Sequence, residues 1–240
     1  MTLFGEAFAP IYNDECAYWG PHVGPLLLRE AGRSGPPPGN WLDLCCGAGS
    51  LLKIVCEHGY DATGLDLSGP LLRYARVNAP RARLLRADVR TFAFGCRFDV
   101  ITCMFDSLNY LPAREDVATV FTRTREHLAD GGLFAFDVNT FGGLRPGWER
   151  SSVVHGEDRV LINETSFDTA GRLHCRITGF VKTGDSYRRF DEQHVQLGYS
   201  AARMKFMLGR AGFRFTVRDG HTLGRRRRKS SRLLYLCRAR

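Results

Sequence analysis

Residues 40–69 read NWLDLCCGAGSLLKIVCEHGYDATGLDLSG, so two carboxylates, Asp43 and Asp66, flank a turn that contains Gly47 and Gly49. A third acid, Asp88, follows in LLRADVR. A short apolar strand, a glycine loop and the start of a helix make a site for an adenosine-containing group. Glycines let the backbone approach the ligand closely, and the helix N-terminus offers unpaired N–H groups. The details decide which group fits. A dinucleotide fingerprint, G-x-G-x-x-G, uses its third glycine for close packing of helix on strand. Leu52 stands at that position here. Asp43 argues the same way, because a carboxylate beside the loop would face a doubly negative pyrophosphate. At about 5 Å and an effective dielectric of about 20, each such contact costs on the order of 3 kcal/mol before screening.

A cofactor bearing positive charge and no phosphate fits better. S-adenosylmethionine carries an ammonium and a sulfonium, and it suits a carboxylate on that side of the loop. Asp66 falls 17 residues after Gly49, room for one helix and one strand, and a carboxylate there can accept hydrogen bonds from two ribose hydroxyls. Asp66 could instead cap the next helix, but Ser68 already fills that role ahead of GPLLRYARV. Asp88, after the third strand, is placed to receive the adenine amine; an acid there is also a common turn residue. Asp43, Asp66 and Asp88 are thus expected to end three strands at one sheet edge.

The elements that must position these groups follow from the apolar pattern. Strands are expected near 40–45, 61–66, 82–87, 98–104 and 132–138, with helices near 50–58, 69–78 and 113–129. Val117, Val120, Phe121, Thr124 and Leu128 repeat at the spacing of one buried helix face. This alternation predicts an α/β fold with a mostly parallel sheet. One or two helices before residue 34 would lie across its top as a lid, ending in the stiff linker SGPPPG. From Arg159 to Tyr199 the pattern changes to period two, broken by TAGR and KTGDS, which predicts a three-stranded antiparallel meander. A helix (SAARMKFMLGRAGF) and two strands (FRFTVRDG, SRLLYLCRAR) then complete the fold.

The totals narrow the classes further. The chain of 240 residues is 44% hydrophobic and 25% charged, as expected of a globular protein. It has no membrane-length apolar run, and a cytoplasmic location is expected. Its 8 cysteines form no C-x-x-C pair, so neither a disulfide framework nor a metal site is expected. The net charge of +9 is local: residues 225–240 carry eight basic residues and no acid, which leaves residues 1–224 at +1. The run RRRRK at Arg225–Lys229 reads as a solvated hairpin tip.

The motifs LDLCCGAGS, GLDLS, ADVR and FDVITCMFDSLNYL, in this order, resemble those of the class I S-adenosylmethionine-dependent methyltransferases. The resemblance covers about residues 40–140. It implies a Rossmann-like seven-stranded sheet with helices on both faces, and methyl transfer by in-line displacement. An antiparallel insertion after the fifth strand and an N-terminal tyrosine are similar to sugar N-methyltransferases and glycine N-methyltransferase-like enzymes, which implies a small-molecule acceptor methylated on N or O. The implied organisation is a helical lid and linker at 1–39, a core at 40–145 and 199–240, and an inserted sheet at 146–198 that shapes the acceptor pocket or a homodimer surface. By the same resemblance Tyr12 and Trp19 lie near the cofactor, Cys45 joins the loop, and Leu67, Val89, Met104 and Phe105 form apolar walls.

Two residues are candidates on the acceptor side. Tyr110 follows the fourth strand, and His194, near the end of the meander, is expected to accept a proton at neutral pH. A nucleic-acid acceptor is disfavoured: FDSL replaces the D/N-P-P-Y/F pattern of exocyclic-amine enzymes, and TCM lacks the Pro-Cys pair of cytosine C5 enzymes. A cofactor-binding protein without catalysis is the third alternative.

Overall fold

The structure, a computed structural model, describes residues 4–33, 39–111, 113–144 and 151–239. Two helices come first, α1 (Ala9–Cys16) and α2 (Trp19–Ala31). In α2, Val23, Leu26, Leu27 and Ala31 bury one stripe, the spacing a surface helix needs to pack on a sheet. The expected linker at 34–39 falls, apart from Gly39, outside the described residues.

The core then alternates: β1 (Asn40–Leu44), α3 (Ser50–Glu57), β2 (Asp61–Asp66), α4 (Gly69–Asn78), β3 (Arg83–Arg86), β4 (Phe98–Cys103), α5 (Arg114–His127) and β5 (Leu128–Asn139). After the antiparallel segment come α6 (Ala201–Arg210), β10 (Phe213–Asp219) and β11 (Arg232–Ala239). The seven strands lie in the order β10-β11-β5-β4-β1-β2-β3. β1 to β5 are parallel, and β11 runs antiparallel to both β5 and β10. The expected Rossmann-like seven-stranded fold is therefore present. Because β1 sits between β2 and β4, the chain reverses direction of travel there, and the loops after β1 and β4 diverge to open a crevice at the sheet's carboxyl edge.

Two apolar layers hold the sheet. On one face Val117, Val120 and Phe121 of α5 pack with Phe134, Phe136, Met204, Leu208 and Tyr235. On the other, Val23 and Leu27 of α2 meet Trp41, Leu52, Val55, Leu234 and Leu236. The predicted face of α5 is buried, but the helix ends at His127, and Leu128 already belongs to β5. Leu128 pairs with Phe98 ahead of a register shift, so the strand begins four residues earlier than its apolar run predicts.

The segment expected as a three-stranded meander is a four-stranded antiparallel sheet: β6 (Ser151–His155), β7 (Arg159–Phe167), β8 (Arg172–Thr183) and β9 (Ser186–Leu197). The additional strand, β6, is exposed along its whole length and so lacks the alternation that marked the others. On β9, Glu192, His194 and Gln196 alternate inward and are buried, which brings polar groups of this sheet to the carboxyl edge of the larger one.

Candidate active site

The turn after β1 is built on left-handed backbone at Cys45 (φ 57°), Gly47 (φ 55°) and Gly49 (φ 80°). At Gly47 a Cβ would lie 3.1 Å from Tyr12 Oη and 3.2 Å from its ring. The glycine therefore serves both the turn and the close seating of Tyr12 over the loop. The Gly47 amide donates to Asp66 Oδ2 at 2.9 Å, and the Ser68 amide donates to Oδ1 at 2.8 Å. Asp66 thus ties the end of β2 to the glycine loop and keeps lone pairs for further donors. Burial raises its pKa, and the two amide bonds oppose that shift. Ser68 caps α4 as expected, accepting from Leu71 N at 3.2 Å.

Asp43 differs from expectation. It lies within β1, opposite Gly64 and Thr102, and is only 3% exposed. Trp41 Nε1 donates to Thr102 Oγ1 (2.9 Å), which in turn donates to Asp43 Oδ1 (2.7 Å). Burial pushes the Asp43 pKa up to about 7, so near neutrality the group is partly protonated rather than a fixed anion. Asp88 is likewise not at a strand end, since β3 stops at Arg86. Arg90 grips its carboxylate, with Nη2 2.6 Å from Oδ2 and Nε 3.0 Å from Oδ1, and holds its pKa low. Asp43 thus stands one residue before the end of β1, Asp66 closes β2, and Asp88 follows the end of β3 by two residues.

The apolar wall residues divide. Val89 and Met104 are buried in the core layers and Phe105 is half-buried, whereas Leu67 is 62% exposed. Trp19 is buried against Phe105, with ring centroids 5.1 Å apart, and lies under the Arg232 guanidinium, 4.8 Å from its ring centroid.

Tyr12, Tyr110 and His194 do come together, and they meet around residues that the pattern gave no reason to single out. Phe4 packs on Tyr12 (5.1 Å), His194 (5.1 Å) and Tyr110 (5.7 Å), and Phe8 packs on His194 (5.6 Å). The amides of Phe4 and Gly5 donate to Glu192 at 3.0 and 2.7 Å, and Ser68 Oγ donates to the Phe4 carbonyl at 2.8 Å. The N-terminal segment is thereby strapped between β9 and the cap of α4.

His194 corrects another expectation. Burial lowers its pKa to about 4, and neither ring nitrogen has a hydrogen-bond partner among the described residues. Although Glu192 lies 3.8 Å away, the imidazole is neutral near pH 7, so that contact is not an ion pair. Burial also raises the Tyr110 pKa far above its ordinary value, which keeps the phenol protonated.

Beneath the loop after β4 sits a buried polar cluster. Arg232 Nη1 meets Asp137 (2.8 Å) and Nη2 meets Asp106 (2.6 Å). Asp137 also accepts the amides of Phe105 (2.6 Å) and Asp106 (3.0 Å), and Asp106 accepts from Gln196 (2.5 Å) and Asn139 (3.0 Å). These bonds hold Phe105 and Asp106 at φ of 60° and 49°, a conformation costly for residues with a Cβ. The sequence carried one faint sign of the cluster, an acid interrupting the apolar strand FAFDV.

A methyltransferase domain model matches residues 42–132, the stretch from β1 into β5. Over 87% of this chain and 85% of the relative, the sequence is 30% identical to a putative methyltransferase, YqeM, of Bacillus subtilis (strain 168). The chain belongs to the class I S-adenosylmethionine-dependent methyltransferases. This methyltransferase is also 28% identical, over 79% of its length and 81% of the relative's, to the dTDP-3-amino-3,4,6-trideoxy-alpha-D-glucopyranose N,N-dimethyltransferase of Streptomyces venezuelae. Among solved structures, an S-adenosylmethionine-dependent methyltransferase from Clostridium acetobutylicum ATCC 824 superimposes with a TM-score of 0.86 at 24% identity, covering 97% of this chain and 98% of that one. Among the described residues of the methyltransferase, no group of three or more His, Cys, Asp or Glu is placed to hold a metal ion, and no helix is long and apolar enough to cross a membrane.

Proposed function

We propose that the protein methylates an amine nitrogen of a small-molecule acceptor with S-adenosylmethionine as donor. The glycine cradle fits the cofactor: Gly47 and Gly49 leave the loop without side chains, Asp66 would accept the ribose hydroxyls, and Tyr12 would close over the loop. When bound, the cofactor supplies an electrophilic methyl on a cationic sulfur. Asp43, pushed to about 7, is poised to ionise beside an ammonium, because a nearby positive charge favours the carboxylate form.

One observation carries the choice of nitrogen. Tyr110 and His194, the two acceptor-side candidates, offer no strong base. Tyr110 stays a phenol near pH 7, and burial holds His194 to a pKa of about 4, which makes its neutral imidazole a weak base. The neighbouring Glu192 is engaged by the amides of Phe4 and Gly5. Asp106 is occupied by Arg232, Gln196 and Asn139. An alcohol acceptor needs its proton removed as it attacks, whereas a neutral amine attacks with its lone pair and loses a proton afterward to water. Positioning and exclusion of water then supply the acceleration. The rings of Phe4, Phe8, Tyr12 and Tyr110 would exclude that water. The Streptomyces relative acts on an aminosugar, which supports the same reading. Eight unpaired cysteines fit a reducing cytoplasm.

An acceptor screen with tritiated cofactor tests the proposal, using panels of small amines, small alcohols and bulk RNA. Label in amines alone is the expected result; label confined to alcohols or RNA overturns it.

A further inference from the structure

The basic run Arg225–Lys229 lies outside the glycine loop and the aromatic cluster, and the fold gives it company. A concave groove of about 600 Å³ lies on the β10–β11 face beyond α2, lined by Arg33, Arg214, Arg218, Arg225 and Arg238, with Glu30 as its acid. These arginines come from the turn after α2, from the edge strand β10 and its neighbour β11, and from the first position of RRRRK. Their formal sum with Glu30 is +4: Arg33, Arg214 and Arg218 from residues 1–224 join Arg225 and Arg238 from the basic C-terminal stretch. Tertiary structure therefore concentrates charge that the sequence disperses.

The groove runs against ordinary sheet stability. Arg214 and Arg238 stand directly opposite across the β10–β11 pair, where like charges repel and destabilise the ladder. The two rows continue with Thr216 opposite Leu236 and Arg218 opposite Leu234. Arg214 and Arg218 lie four residues apart on one face, so their backbone positions are roughly 13 Å apart along the strand. The floor between them includes Leu133 and Leu236.

Part of the charge is committed and oriented. Glu30, 6% exposed, accepts from Arg33 (2.7 Å) and Arg218 (3.5 Å), and Arg238 donates to the carbonyls of Gly131 and Glu30, both at 2.8 Å. Among the described residues, Arg214 and Arg225 make no side-chain hydrogen bond or ion pair. Burial and the nearby Arg214 and Arg33 depress the Arg238 pKa, while Glu30 opposes the shift. A rim of guanidinium groups, Arg33, Arg218 and Arg238 held by protein partners and Arg214 and Arg225 left open, around an apolar floor matches a phosphorylated ligand, since guanidinium forks pair with phosphate oxygens two at a time. The volume suits a small molecule.

We infer that this groove is a second binding site, separate from the methyl-transfer crevice, for a compact polyanion with the charge and size of a nucleoside di- or triphosphate. It stands independently of the acceptor assignment, because none of its side chains belongs to the glycine loop, the aromatic cluster or the Arg232 cluster.

Calorimetric titration at about 50 mM salt with inorganic tripolyphosphate and with ATP tests the site. Binding of both shows that phosphate charge suffices; binding of ATP alone shows that the floor also reads the base. Either result supports the site if the paired substitution Arg214→Glu and Arg225→Glu weakens binding at least tenfold. Cofactor affinity and methyl transfer should stay at the wild-type level. The milder Arg214→Gln, Arg225→Gln pair serves if the charge reversal unfolds the edge hairpin. Absence of binding by both probes overturns the proposal. So does binding that survives the groove substitutions but vanishes when Arg226 to Lys229 become serine, which would make it a property of the exposed tip. RNA that binds and is not displaced by either probe overturns it as well.

Discussion

The Gly47 amide points at Asp66 Oδ2 across 2.9 Å, so one carboxylate both fixes the glycine loop and offers its remaining lone pairs to the crevice. Replacing Asp66 with alanine should weaken S-adenosylmethionine binding by about 1 to 3 kcal/mol, the range for losing hydrogen bonds to a charged group. Calorimetry on the folded variant reads the loss. Unchanged affinity would remove Asp66 from the ribose site. NAD should give no binding heat with either protein.

The pH profile separates the amine mechanism from base catalysis by histidine. With His194 held to about 4, and with cofactor saturating so that Asp43 is ionised beside its ammonium, kcat/KM for the acceptor between pH 5.5 and 8 should follow the ionisation of the acceptor amine, with no limb that depends on His194. Phe4, Phe8, Tyr110 and Glu192 face the imidazole, and none of them is a cation that could move with it. A limb near pH 6.5 that disappears in His194→Gln would make the histidine a base.

Tyr110→Phe should lower turnover several-fold while cofactor affinity stays within about twofold, since its ring lies with Phe4 and His194 rather than on the glycine loop. Single-turnover rates and cofactor titrations measure the two quantities separately. Wild-type values for both would leave the tyrosine a packing residue.

Arg232→Met should destabilise the fold by about 3 to 5 kcal/mol, because Asp106 and Asp137 would be left as buried carboxylates without their cation. The cost is read as a shift of the urea midpoint. Asp137→Asn combined with Arg232→Met should recover part of it, and failure to do so would show that the pair is not coupled.

Stability itself should depend on pH. Asp43 and Asp137 are raised in the folded state to about 7 and about 6, so between roughly pH 4 and 7 the native protein holds protons that the unfolded chain releases. Unfolding free energy should accordingly fall as pH rises through that window. Asp43→Asn, neutral at every pH, should flatten the slope. An equally steep slope in the variant would assign it to other groups.

The local signals were legible because they depend on neighbours in sequence. Glycines at Gly47 and Gly49, an acid closing β2 at Asp66, the cap at Ser68 and the buried stripe of α5 each follow from backbone geometry or periodicity over a few residues. Those features fixed the parallel sheet, the cofactor class and the loop that holds it. β6 escaped notice because it is exposed on both faces and leaves no alternation.

Protonation states and long-range partners were decided by the fold alone. Asp43 looked like an anion beside a loop, but burial within a central strand brings its pKa to about 7; His194 looked titratable, and burial among rings takes it to about 4. Phe4 reaches Glu192 across 188 positions, and Arg232 reaches Asp106 across 126. Desolvation depends on everything packed around a group, and a pairing across such distances leaves no periodic trace. The sequence thus determined which chemistry the chain carries, and the tertiary structure determined which groups are charged when it acts.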